Sequence, residues 1–344
     1  MSGDIHIRIE GRAGRITLNR PEVLNALTHD MVKAMTRALT AWAGDAAVEL
    51  VVVDAIGGRA FCAGGDIQTL YHEGRSHPES GRGFWRDEYS LNALIHHYPK
   101  PYVALMDGIV MGGGVGISAH GSHRIVTERS TVTMPETSIG FMPDVGGTRL
   151  LADAPGQTGF YLGLTATRMA PGDAIHAGFA DTYVPSEKLP GLTEALKQDG
   201  IGVIPDFVAP LPSSKLAGLR PTIDLHFGES SVSAIAASLE AADGAWERET
   251  LEALRRVSPF SAAAAFEALR RARQTQDIES CLITEYRFAW RSLDGHDFFE
   301  GIRAAVIDKD RKPKWQPARI EDVTQESVAA VLAPLDGSEW RKAA

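Results

Sequence analysis

The sequence predicts an α/β core followed by a mainly helical C-terminal region, and three observations carry that prediction. Short β-branched runs alternate with helix-period segments up to residue 185. Glycine-rich turns come directly after two of those runs. Beyond about residue 200 the pattern turns helical. The expected division is a core over residues 1–195 and a mainly helical region over 196–344. A chain of 344 residues fits about two domains at roughly 150 residues each.

Each element follows from its own residues. Ile5, Ile7 and Ile9 alternate with polar residues, GRAG at 11–14 turns the chain, and Ile16 and Leu18 alternate again. That pattern is a β-hairpin with one buried face. Thr28 is placed to cap a helix carrying Met31, Val32, Met35, Leu39 and Trp42 at helical spacing. LVVV at 50–53 and YVALM at 102–106 read as buried strands, with shorter strands at 124–127 and 131–134. Residues 213–219 and 221–227 read as irregular. Residues 259–275 are alanine-rich with apolar spacing, 281–293 and 298–307 continue as helix, and 309–317 form a basic, proline-broken tail.

Composition removes several function classes. Apolar residues make up 44% and charged ones 23%, which excludes a disordered or fibrous chain. With 35 Lys and Arg against 44 Asp and Glu the formal net charge is −9, so no broad nucleic-acid surface is expected. The two cysteines, Cys62 and Cys281, are too far apart for a CxxC pair, which disfavours a disulfide scaffold or thiolate zinc site and fits a reducing cytoplasm. The N-terminus has no signal-peptide core, and the uncharged stretch 108–119 falls short of the about 20 residues that cross a bilayer. No membrane partner is expected, and a cytoplasmic location is.

Four segments can carry chemistry. AFCAGGDI at 60–67 follows a strand, and its glycines allow either a plain strand-to-helix turn or a helix start whose unpaired amides stabilise negative charge. GIVMGGGVG at 108–116 offers a second such set of amides. Residues 114–119 formally match a dinucleotide fingerprint, but the strand at 124–127 begins too soon and no acidic residue follows at the required distance. MPETSIGFMPDVGG at 134–147 holds Glu136 and Asp144 in a loop of prolines and glycines, suited to acid–base or nucleophilic work, or with Asp144 as a helix cap. In 84–95, Glu88 falls on an apolar stripe with Phe84, Leu91 and Ile95, where it meets either a basic partner or a ligand cavity. Cys62 has no base in sequence to activate it, and the histidine pairs lack zinc-ligand spacing.

Taken in order, NRPEVLNAL at 19–27, FCAGGD at 61–66, GIVMGGG at 108–114 and Pro135-Glu136 resemble the crotonase (enoyl-CoA hydratase/isomerase) superfamily. The resemblance implies a ββα spiral core, an oxyanion hole for an acyl-CoA thioester made by the Gly65 and Gly113 amides, and coenzyme A contacts near Ala63 and Gly64, with Asp66 beside them. Within the superfamily, GGGVG at 112–116, MPETSIG at 134–140, PDVGG at 143–147, HDFFEGIR at 296–303 and IDKDRKPKWQP at 307–317 resemble the 3-hydroxyisobutyryl-CoA hydrolases. In that branch the acids matching Glu88, Glu136 and Asp144 line the substrate site. Hydratases carry a catalytic glutamate two residues after the triple glycine, where this chain has Gly116.

The implied activity is hydrolysis of a short 3-hydroxyacyl-CoA, in the manner of valine catabolism. Glu136 is the reacting carboxylate, as nucleophile or as base. Asp144 holds the substrate hydroxyl or delivers protons, and Glu88 closes the acyl pocket. No metal or redox cofactor is expected, coenzyme A entering as part of the substrate. Arg20, Lys309, Arg311 and Lys312 are the candidates for its phosphates. Homo-oligomers are implied, less uniformly in the hydrolase branch. The competing readings are an enoyl-CoA hydratase or isomerase, a dinucleotide-dependent oxidoreductase, and a non-catalytic acyl-CoA binder.

Overall fold

The computed structural model describes residues 3–275 and 277–341. Its strands are β1 (Ile5–Glu10), β2 (Ala13–Leu18), β3 (Leu50–Ala55), β4 (Ala60–Cys62), β5 (Tyr102–Met106), β6 (Ile109–Met111), β7 (His123–Val126), β8 (Thr131–Thr133) and β9 (Thr182–Tyr183). Helices α1 (His29–Ala43), α2 (Ile67–Glu73), α3 (Pro78–His96), α4 (Gly113–Gly116), α5 (Gly147–Asp153), α6 (Thr158–Thr165), α7 (Pro171–His176) and α8 (Leu189–Asp199) intervene or follow. They are succeeded by α9 (Lys215–Phe227), α10 (Val232–Ala241), α11 (Ala245–Arg256), α12 (Pro259–Ala272), α13 (Ile278–Ser292), α14 (Asp297–Ile302) and α15 (Gln325–Val331). Among the described residues no strand follows β9, and no helix is long and apolar enough to cross a membrane.

Two compact units form, interleaved along the chain. The first comprises Met1–Asp66, Asp87–Thr133 and Met169–Lys215, the second Ile67–Arg86, Met134–Arg168 and Leu216–Ala344.

The first unit is built on two sheets, one of six strands in the order β1-β2-β3-β5-β7-β9 and one of three in the order β4-β6-β8. The predicted hairpin is present, with Ile5 opposite Leu18 and Ile7 opposite Ile16. All other neighbours run parallel. From β3 to β8 the chain therefore lays one strand in the large sheet and the next in the small one, which is the ββα spiral of the crotonase fold. The apolar run of β3 is explained by this topology, since a parallel strand covered on both faces has no reason to alternate. Leu50, Val52, Val103, Leu105 and Ile125 pack there against Leu192 and Leu196 of α8. Thr28 caps α1 by accepting from the Met31 amide at 3.2 Å, and Met31, Val32, Met35, Leu39 and Trp42 are its buried face, as the spacing predicts.

The loop 19–27 locks this unit at the start of β4. Asn25 is buried in a left-handed conformation (φ 57°). Its carbonyl accepts from the Arg20 amide at 2.8 Å, and its amide donates to Ile56 O at 3.0 Å and Ala60 O at 2.9 Å. Removing these groups strands the buried Ala60 carbonyl and takes a partner from two part-buried groups, so Asn25→Ala is expected to cost about 2 kcal/mol. Urea unfolding should show a lower midpoint at unchanged slope; an unchanged midpoint would mean that the clamp contributes nothing.

The second unit is helical. Phe141 sits among aromatic rings, stacked on Trp85 at 5.3 Å between centroids, with Phe288 at 5.4 Å and Phe298 at 5.3 Å. Residues 213–227, read from sequence as irregular, correct that expectation: Lys215–Phe227 is a 13-residue helix despite Pro221 inside it. Leu216, Ile223 and Phe227 are buried, and steps of seven and four residues put them on one face. Burial of that stripe outweighs the hydrogen bond lost at the proline.

Candidate active site

In the first unit the two glycine segments close on each other. Ala63 donates to Leu24 O at 3.0 Å, and Gly64 O and the Asp66 amide bond Leu27 on either side of Gly65. The Gly65 amide is left out of that bridge. Gly112 precedes α4 at φ 52°, ψ −121°, a conformation open to glycine, and this places the Gly113 amide at the first position of the helix, where no intrahelical acceptor exists. Neither amide is spent on a hydrogen bond among the described residues.

The two glycine segments come close together. A Cβ added at Gly113 would lie 3.3 Å from the Gly65 nitrogen and 2.6 Å from Glu88 Oε1, and one at Gly64 would lie 3.7 Å from the Gly113 nitrogen. Glu88, on α3 and only 2% exposed, thus has its Oε1 close to the Gly113 Cα. The arrangement can grip an oxygen that gains negative charge. Of the predicted residues, Gly65, Gly113, Gly64, Ala63, Asp66 and Glu88 are brought together here.

Two other sequence features resolve. Gly114 is required because a Cβ there would meet Cys62 O at 2.2 Å, so packing accounts for the first glycine of the apparent dinucleotide fingerprint, and α4 is only four residues long. Burial pushes the Cys62 thiol up to about 12, with the nearby Glu88 charge adding to it, so Cys62 is no thiolate nucleophile at neutral pH.

Arg20, a phosphate candidate, donates to Ala26 O at 2.7 Å and pairs with Asp66 at 3.2 Å, inside the loop clamp. Lys309, Arg311 and Lys312 lie exposed in the second unit.

The second unit holds Glu136 and Asp144, each 5% exposed. Glu136 opens a 3-10 turn, Glu136–Ile139, closed by Gly140 at φ 73°. The turn is tightly backed: a Cβ at Gly140 would meet Asp297 O at 2.0 Å, and one at Gly301 would meet Ile139 O at 2.2 Å. Thr137 O accepts from the Ser258 amide at 3.0 Å. Rigid backing of this kind is what a reacting carboxylate needs. Asp144 precedes Val145 and Gly146, both left-handed.

The start of the helix after Asp144 is held by a carboxylate from another helix. Gly146 is the N-cap of α5, and Glu285 of α13 accepts from its amide at 2.8 Å and from the Thr148 amide at 3.0 Å. A cavity of about 410 Å³ lies behind the turn, lined by Gly140, Phe260, Phe288 and Phe298 among others, and none of the predicted site residues lines it.

Two residues escaped the sequence reading. Glu285 lies on a buried stripe with Cys281, Leu282, Phe288 and Ala289, the same signal that singles out Glu88. Asn92, one turn beyond Glu88, is fully buried, and its side-chain amide has no hydrogen-bond partner among the described residues.

A parallel spiral with two opposed glycine amides defines a class of enzymes that polarise an acyl oxygen. The chain belongs to the enoyl-CoA hydratase/isomerase (crotonase) family, whose model matches residues 13–332, and it is an acyl-CoA enzyme of that family. It is 38% identical to the mitochondrial 3-hydroxyisobutyryl-CoA hydrolase of Xenopus tropicalis over 98% of this chain and 91% of that protein. The human protein of the same name is 36% identical over 98% and 90%. Among solved structures, an enoyl-CoA hydratase from Rhodobacter sphaeroides 2.4.1 is 49% identical with a TM-score of 0.94, covering 98% of this chain and 99% of that one. A carnitinyl-CoA dehydratase from Mycobacterium thermoresistibile is 43% identical with a TM-score of 0.95, covering 98% of each.

Proposed function

We propose that the protein hydrolyses a short 3-hydroxyacyl-CoA, 3-hydroxyisobutyryl-CoA before others, to the free hydroxy acid and CoA, as in valine degradation. The carrying observation is Gly116. Hydration of a double bond in this family uses two glutamates around one water, and this chain has a buried glycine in α4 at the first glutamate's position. Glu136 and Asp144 remain, both buried and both acidic. The names of the relatives at 36–38% identity support the same reading.

In this reading the thioester oxygen accepts from the Gly65 and Gly113 amides, each donor worth about 3–4 kcal/mol to the developing oxyanion. Glu136 attacks the carbonyl carbon or draws a proton from water that does. The C–S bond breaks and the thiolate takes up a proton; in the nucleophilic route water then cleaves the acyl–Glu136 anhydride, releasing the hydroxy acid and restoring the carboxylate, and in the other route water's oxygen enters the acid directly. Glu88 and Asp144 bind the 3-hydroxyl and carry protons. A site built to hydrogen-bond a hydroxyl discriminates against plain acyl chains that lack it. Two buried free thiols, Cys62 and Cys281, accord with work in the reducing cytoplasm.

A second reading, an enoyl-CoA hydratase or isomerase, is favoured by the names of the two solved structures above. One assay separates them. Free thiol should appear from 3-hydroxyisobutyryl-CoA faster than absorbance is lost from crotonyl-CoA, and the opposite ranking would select the hydratase.

A further inference from the structure

The segment that carries Asp144 is held from a distance. Glu285 lies on α13, 0% exposed, and spends its carboxylate on the loop beyond Asp144. One oxygen accepts from the Gly146 amide at 2.8 Å; the other accepts from the Thr148 amide at 3.0 Å and from the Thr148 hydroxyl. Between Asp144 and these contacts stands Val145 at φ 55°. A β-branched side chain seldom adopts that left-handed conformation, and it persists only where its surroundings impose it. Gly146 continues at φ 76°, and the turn closes with the Gly147 amide on Asp144 O at 2.7 Å.

We infer that Glu285 is a positioning residue for Asp144: its grip on the Gly146 and Thr148 amides imposes the left-handed Val145–Gly146 turn and so sets where the Asp144 carboxylate is presented. The inference deepens the thioester-hydrolase reading and rests on it for the part Asp144 plays. A local cap would have done for α5 alone. Here Gly146 occupies the N-cap position, and a buried acid from another helix accepts from its amide and from that of Thr148.

The grip responds to pH. Burial pushes the Glu285 carboxyl up to about 7, against the lowering pull of its three hydrogen bonds. Beside it stand the Cys281 thiol from its own helix, itself raised by burial, and beyond that Asp277 and Arg149, whose charges also act on Cys281. Arg149 of α5 is engaged by Asp153 at 2.9 Å and Thr275 O at 3.0 Å. Bonds to an ionised carboxylate are stronger than bonds to the neutral acid, so the hold on both amides tightens as pH rises through 7 and slackens as it falls.

The test is hydrogen exchange at the Gly146 and Thr148 amides, read beside kcat and KM for CoA release, in the wild type and in Glu285→Gln. The variant keeps the volume but turns an amine toward one of the two N–H groups. Exchange at Gly146 and Thr148 is expected to rise about tenfold, with 136–139 unchanged, and kcat to fall about tenfold with KM within about twofold. The wild type should lose kcat as pH falls through 7, and that limb should be absent from the variant. Unchanged exchange overturns the inference, as does faster exchange with wild-type kcat. Should Glu285→Gln fail to fold, Thr148→Val removes the hydroxyl bond alone and should move both readouts the same way by a few-fold, with Thr148→Ser restoring them; wild-type behaviour of Thr148→Val would overturn the inference equally. A wild type that releases no CoA refutes the proposed reaction, and the exchange result still decides the grip.

Discussion

Glu136→Gln protein is expected to bind 3-hydroxyacyl-CoA with near wild-type affinity and to release CoA about 10²- to 10⁴-fold more slowly. The substitution changes one oxygen for an NH₂ group and keeps the shape of a side chain that is 5% exposed. The turn does not depend on that side chain's charge: Glu136 O accepts from the Phe141 amide at 3.0 Å, and Phe141 is fixed by Trp85, Phe288 and Phe298. What is lost is the ability to attack a carbonyl or to accept a proton from water. Calorimetric binding beside a thiol-release assay separates these effects. Turnover at the wild-type rate would take Glu136 out of the chemistry.

Gly113→Ala should be nearly as damaging for a different reason. The new methyl would lie 2.6 Å from Glu88 Oε1 and 3.3 Å from the Gly65 nitrogen, where the proposed reaction places the substrate oxygen. Loss of one well-placed oxyanion donor typically costs about 10²–10³ in kcat, and losses of that size are expected here. Gly218→Ala is the control, since a Cβ on that turn of α9 meets nothing within 4 Å. It should retain full activity. A fully active Gly113→Ala protein would mean that the carbonyl oxygen is held elsewhere.

How far the sequence reveals this molecule depends on the range over which each interaction acts. The hairpin of β1 and β2, the Thr28-capped helix and the strands β3 and β5 are legible because neighbouring residues carry the whole pattern. β4 and β6 escape notice, being three residues long and merged with the glycine segments that follow them. α9 was obscured by Pro221, although its buried Leu216, Ile223 and Phe227 mark one face. The glycines of the site were visible as flexible turns, yet what each excludes is a property of distant backbone: Cys62 O for Gly114, Asp297 O for Gly140.

The carboxylates divide in the same way. Glu88 was legible because an acid on an apolar helical stripe is conspicuous, and the structure puts its Oε1 close to the Gly113 Cα. Glu285 has the same signature, but the amides it holds are 139 and 137 residues away in sequence, beyond any local rule. Local capping preference points only to Asp144, whereas the Gly146 and Thr148 amides are held by a long-range contact.

The central claim is that the Gly65 and Gly113 amides polarise a thioester carbonyl. Infrared difference spectroscopy of ¹³C=O-labelled 3-hydroxyisobutyryl-CoA bound to Glu136→Gln protein reads that polarisation directly, since the substrate survives on this variant. The carbonyl stretch should move to lower frequency than in water, and adding Gly113→Ala should return it toward the solution value. A bound carbonyl that absorbs where it does in water, with or without the Gly113 substitution, would contradict the account.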